Sequence, residues 1–423
     1  MKIAVVGTGI AGMVAAYLLH QEHEITVFEA NDYIGGHTNT IDVEQDGMTY
    51  AVDTGFIVYN DWTYPNFIKL LAKLGVATQP SSMSFSVRDD RRGLEYNGTS
   101  LNALFAQRRN LFRPSFYRMI RDILRFNRES KELLQTVDDT TTLHDYLAAN
   151  RYSVEFVQHY IIPMGAAIWS ADPVQMKSFP ARYFVRFFEN HGMLSVDDRP
   201  QWRVVTGGSK RYVEALAKPY RSRIRLRCPV RSIKRSSGHV DVTAQHWNGP
   251  TESLRFDRLI MAAHSDQALA LLTDPTDAER EVLGTIRYQE NEAVLHTDRS
   301  LLPKRRLAWA SWNYHLSDKP TNRVAVTYHM NTLQSLRAPR EFCVTLNRTE
   351  AIDPAAIIKR ITYHHPVYTR EAVAAQRRHE EINGVKRTYF CGAYWGYGFH
   401  EDGVKSALTV CRRFGSQYER ALD

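Results

Sequence analysis

Residues 2–6 (Lys-Ile-Ala-Val-Val), 7–12 (Gly-Thr-Gly-Ile-Ala-Gly), 13–19 (Met-Val-Ala-Ala-Tyr-Leu-Leu) and 24–29 (Glu-Ile-Thr-Val-Phe-Glu) decide the fold. They read as strand, glycine turn, helix, strand and terminal acid. Gly7 makes the tight turn and Gly9 lets the backbone approach a pyrophosphate. Gly12, beside Ala15 and Ala16, lets the helix lie close on the sheet. The N–H groups that open the helix carry partial positive charge, which suits phosphate. Glu29 ends the second strand, where a carboxylate accepts hydrogen bonds from ribose hydroxyls. A dinucleotide is therefore the expected ligand.

Gly35-Gly36-His37-Thr38 follows closely. A plain NAD site does not need this second glycine turn. The stretch resembles the extended dinucleotide motif of the flavin amine oxidase and phytoene-desaturase-like superfamily. The resemblance implies FAD, with Gly7, Gly9, Ile10, Ala11 and Gly12 at the pyrophosphate and Glu29 and Ala30 at the ribose. It places Gly36, His37 and Thr38 along the pyrophosphate and flavin. The family usually has an arginine where this chain has His37, and a histidine that is often neutral at neutral pH is a weaker phosphate partner. Asp53-Thr54-Gly55 resembles the family's step beside the flavin, which implicates Thr54 and Gly55. Gly207-Gly208 resembles its re-entry into the FAD domain. Val230 opens the strand that the family lays on the adenine.

The end of the chain completes the resemblance. Residues 388–393 read as a strand closing on Gly392, 394–400 as a loop, and Glu401-Asp402-Gly403-Val404 as the opening of a helix that continues over 405–414. In the family this helix points its N-terminus at the flavin pyrimidine, so Gly403 and Val404 are the expected donors. The acid that usually follows the strand glycine is replaced by Ala393 and Tyr394. The expected architecture is α/β: an FAD-binding Rossmann-like domain of the glutathione-reductase type with a second, α+β substrate domain. Residues 1–95, 204–263 and 375–423 are assigned to the first, and 96–203 and 264–374 to the second.

The chain has 423 residues, 43% of them apolar and 24% charged, as expected of a folded soluble protein. Its formal net charge of +8 favours anionic partners such as acidic lipid or an anionic substrate. No nucleic-acid motif accompanies that charge. Cys228, Cys343, Cys391 and Cys411 fit neither a redox pair nor a metal site, so reduced, buried thiols in a cytoplasmic protein are expected. The chain opens directly on the first strand, so no cleaved leader is expected, and no apolar run is long enough to span a bilayer.

Residues 114–134 predict a helix with Arg118, Arg121, Arg125 and Arg128 on one side. Phe112, Phe116, Met119, Ile120 and Ile123 fall on the other, with Leu124 at the margin. Two readings fit: a peripheral membrane element, or a core-packed helix with a solvated arginine face. Residues 163–170 and 181–188 are apolar and aromatic, and suit either a cavity wall or the core.

No nucleophile with a paired base is evident. His296, His329, His364, His365 and His400 are each conceivable general bases, and only His400 adjoins the flavin-facing loop. The catalytic candidates are His400, Tyr397 and Trp395, the last two forming an aromatic wall with Tyr394. The lysine that the amine oxidase branch often holds near the flavin has no counterpart around Leu295 and His296. The cysteine motif for covalent flavin is missing, so non-covalent FAD is expected. The chain also resembles a bacterial group of FAD-binding oxidoreductases similar to enzymes that dehydrogenate modified fatty acyl chains. That resemblance implies dehydrogenation of a hydrophobic acyl substrate, free or in a lipid. A soluble amine oxidase and a non-catalytic FAD protein are the alternatives.

Overall fold

Five parallel strands form the sheet that carries the opening unit. Their order is Ile224–Arg225, Glu24–Phe28, Lys2–Val6, Arg258–Met261 and Thr388–Phe390. Three distant stretches of chain thus build one sheet. This is a computed structural model, and it describes residues 1–136, 140–318, 323–415, 417 and 422. Successive strand residues face opposite sides. Ile3, Val5, Ile25, Val27 and Ile260 pack under the opening helix, Ile10–Leu19, and the closing helix, His400–Cys411. Ala4, Val6, Phe28, Leu259 and Met261 face the antiparallel strands Val230–Arg235, Val240–Gln245 and Thr251–Phe256. Both faces are covered, which is why these strands are almost wholly apolar.

A seven-stranded mixed sheet forms the second body. Its order is Ile357–Pro366, Tyr288–His296, Cys343–Leu346, Val326–His329, Trp312–Leu316, Phe85–Asp89 and Leu94–Asn97. The last two strands come from the first third of the chain, so this sheet begins before residue 95. Helices between residues 101 and 190 cover it, in a core that includes Phe126, Phe156, Trp169, Phe184 and Phe188.

Two local expectations are corrected. The arginine helix spans Pro114–Glu129 and continues as a 3-10 turn, Ser130–Gln135. Phe116, Met119 and Phe126 are buried as expected, but Phe112 and Leu124 are exposed. The arginine face is partly ion-paired: Arg118 meets Glu155 at 3.1 Å, and Arg125 lies over the Tyr152 ring. The closing helix spans His400–Cys411, with Glu401 to Val404 in its opening turns as expected, and Asp402 accepts from the Phe399 N–H at 3.0 Å and caps it there. Among the described residues, no helix is long and apolar enough to cross a membrane.

Candidate active site

The site gathers where the carboxyl ends of the parallel strands meet the second sheet, the side on which such folds bind ligands. Gly7 turns with φ +104°, and a Cβ on Gly12 would stand 2.1 Å from the Gly7 carbonyl oxygen. A Cβ on Gly9 would meet nothing within 4 Å. No side chain caps the opening helix, and its first turn holds no acid. Ile10, Ala11 and Gly12 are buried there, so their N–H groups open onto a recess bare of side chains. A pyrophosphate fits that recess. The Gly35–Gly36 turn sits directly above: a Cβ on Gly36 would approach the Gly9 Cα to 3.1 Å.

Glu29 is buried at the strand end. It accepts from the Thr8 N–H at 3.1 Å, from the Thr8 hydroxyl and from the Asn31 N–H at 2.8 Å. These donors fix the carboxylate beside the recess, as a ribose contact requires. Ala30 is exposed next to it. Val230 begins its strand under the same edge, 9% exposed.

The closing helix comes in from the other end of the chain. A Cβ on Gly403 would press within 2.5 Å of Ile10 Cγ2, so Gly403 is what lets the two helix N-termini meet. Its expected role as a donor is corrected. The Gly403 N–H already donates to the Phe399 carbonyl at 3.1 Å, and Val404 is fully buried in the core. The first-turn N–H groups that an α-helix leaves open are those of His400, Glu401 and Asp402. Glu401 itself caps a neighbouring helix, Pro65–Lys73, by accepting from the Phe67 N–H at 2.9 Å and the Asn66 amide at 2.6 Å. Gly392 is held by its N–H to Ser406 Oγ at 2.7 Å.

His37 departs further from the family pattern than its sequence suggests. Its ring stacks on Tyr363, with centroids 5.0 Å apart, and its Nε2 meets the His364 carbonyl oxygen at 3.0 Å. Ring centroids of His365 and His264 lie 5.4 and 5.7 Å away. Burial holds His37 down to about 4 and His264 to about 3. With its pKa so lowered, His37 is a weaker phosphate partner than the N-terminus of the opening helix. Thr38 likewise turns inward: its hydroxyl meets Tyr212 Oη at 2.5 Å and His400 Nε2 at 2.9 Å. Thr54 joins Tyr363 Oη at 2.9 Å, and a Cβ on Gly55 would collide with the His37 carbonyl oxygen at 2.1 Å.

The three catalytic candidates part company. His400 is buried, stacked on Phe56 at 3.4 Å, with its Nε2 also meeting Tyr212 Oη at 2.8 Å. Burial pushes its pKa well below the usual value, and its hydrogen bonds tie it to the fold. Tyr397 does line an aromatic wall, 4.4 Å from Tyr183 and 5.3 Å from Phe187 between centroids. Trp169, which donates to the Tyr397 carbonyl at 3.2 Å, belongs to the same wall. Trp395 does not. The 3-10 turn Ala393–Trp395 rotates each side chain by about a third of a circle, and Trp395 packs on His379 instead, 4.1 Å away.

Two further groups carry weight here. Asp402 accepts from the Tyr397 and Phe399 N–H groups, both at 3.0 Å, which fixes the loop bearing Tyr397. Burial raises it to about 6. Asp53 joins three chain segments by accepting from the Ser209 N–H at 2.9 Å, the Thr40 hydroxyl at 2.5 Å and the Gln334 amide at 3.0 Å. It too is raised to about 6 by burial.

Beyond Tyr397 and Tyr183 the wall opens into a cavity of about 180 Å³ between the aromatic helix Ala181–Asn190 and the helix Arg370–Gln376. Arg182, Arg186, Arg370 and Arg377 line it, and no described carboxylate does. A larger cleft of about 540 Å³ lies at the amino end of strand Glu24–Phe28, the opposite edge from the glycine recess.

The sheet order, the glycine recess and the paired helix N-termini define a flavin-type dinucleotide-binding fold. The family described as flavin containing amine oxidoreductase matches residues 10–334, and the chain belongs to it. FAD is the cofactor of this class, held without a covalent link in its typical members. A candidate flavin-containing monoamine oxidase, AofH of Mycobacterium tuberculosis, is 27% identical over 257 residues, which are 58% of this chain and 54% of that protein. The chain thus matches about half the length of that relative. Cyclohexylamine oxidase from Brevibacterium oxydans shares the fold at 17% identity, with a TM-score of 0.70 over 99% of both chains. A fatty acid isomerase from P. acnes does so at 16% identity, with a TM-score of 0.65 over 98% of both.

Proposed function

We propose that the protein oxidises a largely apolar substrate with an anionic head, and that a fatty acyl chain, modified or held in a lipid, is the class that fits best. One observation carries this reading: Arg186 and Arg370, which line the cavity that opens on Tyr397, donate to the backbone carbonyls of Leu134 and Thr140 and pair with no described carboxylate. A guanidinium cluster attracts carboxylate or phosphate and repels a protonated amine. Bound FAD would supply the two-electron acceptor. The chain's own residues do the rest. Arg186 and Arg370 hold the head group, while Tyr183, Tyr397, Phe187 and Trp169 give the tail an apolar, water-poor path. Asp402 fixes the loop that carries Tyr397. His400 acts as a support for Thr38 and Tyr212 and not as the base.

Amine oxidation is the second reading. The aromatic pair Tyr183 and Tyr397 favours it, as does the name of the mycobacterial relative. The arginine-lined mouth weighs against it. Reversing charge at that mouth separates the two. The double variant Arg186→Glu/Arg370→Glu should raise KM for an anionic acyl substrate by about tenfold or more, with kcat little changed. An unchanged KM would remove the arginines from substrate binding.

A further inference from the structure

We infer that the protein docks on anionic lipid bilayers through the tip formed by residues 101–117, a surface distinct from the active site. Residues 96–121 contain five arginines and no acid. Within this stretch Phe112 is 86% exposed, Leu101 77%, Tyr117 47% and Leu111 42%. Such large side chains are ordinarily buried, and here they cluster on neighbouring turns. Leu111 and Phe112 end the 3-10 turn Arg108–Phe112, and the Tyr117 hydroxyl donates to the Leu111 carbonyl at 3.0 Å.

The charged residues within this stretch are all of one sign, and the nearby Glu95 is buried. Arg108 donates to the Phe105 carbonyl at 2.9 Å and to the Asn102 side chain at 2.6 Å, and Arg109 to the Gly93 carbonyl. Among the described residues neither these two nor Arg113 has an ion-pair partner. Arg109 and Arg113 lie near enough to repel one another. An anionic headgroup layer relieves that repulsion, while outward Phe112, Leu101 and Leu111 enter the acyl boundary below it. A protein partner would be expected to answer a patch of this kind with matching acids and a shaped socket; a bilayer needs neither. The arginine helix Pro114–Glu129 does not lie in the membrane by itself, because its apolar face is spent on the core.

The inference stands apart from the choice of substrate, since lipid binding is read without turnover. Flavin-loaded full-length protein is floated with vesicles of phosphatidylcholine alone and with vesicles containing equal parts phosphatidylglycerol. Binding to the anionic vesicles should be at least about tenfold tighter and should weaken with salt. Phe112→Ser/Leu101→Ser and Arg108→Glu/Arg109→Glu should each weaken it by about tenfold or more. All four side chains lie outside the cofactor site, so flavin content and melting temperature should be unchanged. Equal binding to both vesicle types, or full binding by both double variants, overturns the inference. So does an apolar tip that proves to be covered by a second copy: concentration-dependent dimers lost in Phe112→Ser/Leu101→Ser, without vesicle binding.

Discussion

Gly9→Ala is expected to yield a folded, colourless protein, and Gly12→Ala a protein that scarcely folds. The two glycines are three residues apart in one motif, but their surroundings differ. A Cβ at position 9 meets no protein atom within 4 Å, so the fold has no reason to object. It would instead occupy the recess into which the opening helix directs its N–H groups. At position 12 the same atom lands 2.1 Å from the Gly7 carbonyl oxygen and 2.9 Å from Ala262 Cβ, both fixed by the strands they follow. Overpacking against backbone that cannot yield costs about 3 kcal/mol or more. Flavin absorbance per mole of protein, with a thermal melt of each variant, checks the pair. A yellow Gly9→Ala protein would mean that the phosphates lie elsewhere.

Acid should destabilise the protein steeply, starting just below neutrality. His37, His191 and His296 are held down to about 4 and His264 to about 3, each chiefly by burial. Their folded pKa values lie below the unfolded value of 6.5, so the unfolded chain binds protons first. The stability they contribute is complete above that value and is lost as the pH falls towards 4. Asp53 and Asp402 act in the opposite sense. Raised to about 6, they contribute stability that is present below 3.8 and lost as the pH rises through 6. Each fully shifted group is worth about 1.4 kcal/mol per pH unit. The buried histidines held neutral outnumber the carboxylates held protonated, so these groups together leave a net loss of stability below about pH 6. Denaturant midpoints measured from about pH 7 to about pH 5 should therefore fall. His264→Phe, which preserves the stack on Tyr288, should flatten the slope. A midpoint that rises on acidification would show that the carboxylates dominate.

The histidines also show what the sequence can and cannot reveal. The opening unit was legible because its spacing, apolarity and terminal acid are local properties, and the parallel sheet follows from them. The cluster around His37 was not legible, since residues 37, 264, 364 and 365 meet only when two sheets close on one another. Asp402 did leave a signal. It is an acid three residues after Phe399, in the position that caps a helix. Gly403 sits inside the helix, where the missing side chain lets it pass Ile10. Trp395 was misplaced because sequence neighbours in a loop look like one wall until the 3-10 turn separates them. Phe112 fell on the apolar side of a helical wheel but lies before the helix begins, where the wheel no longer applies.

The arginine-lined cavity had no sequence signature at all. Arg182 and Arg186 come from one helix, Arg370 and Arg377 from a segment almost two hundred residues later, and their meeting is purely tertiary. The substrate reading rests on that meeting, and it is tested most directly by the flavin itself. The flavin-loaded protein is mixed anaerobically with a fatty acid and with an alkylamine of the same chain length, and the visible flavin band is followed. The acid, or its acyl ester with an anionic head, should bleach the band while the amine leaves it intact. Bleaching by the amine alone would contradict the substrate reading.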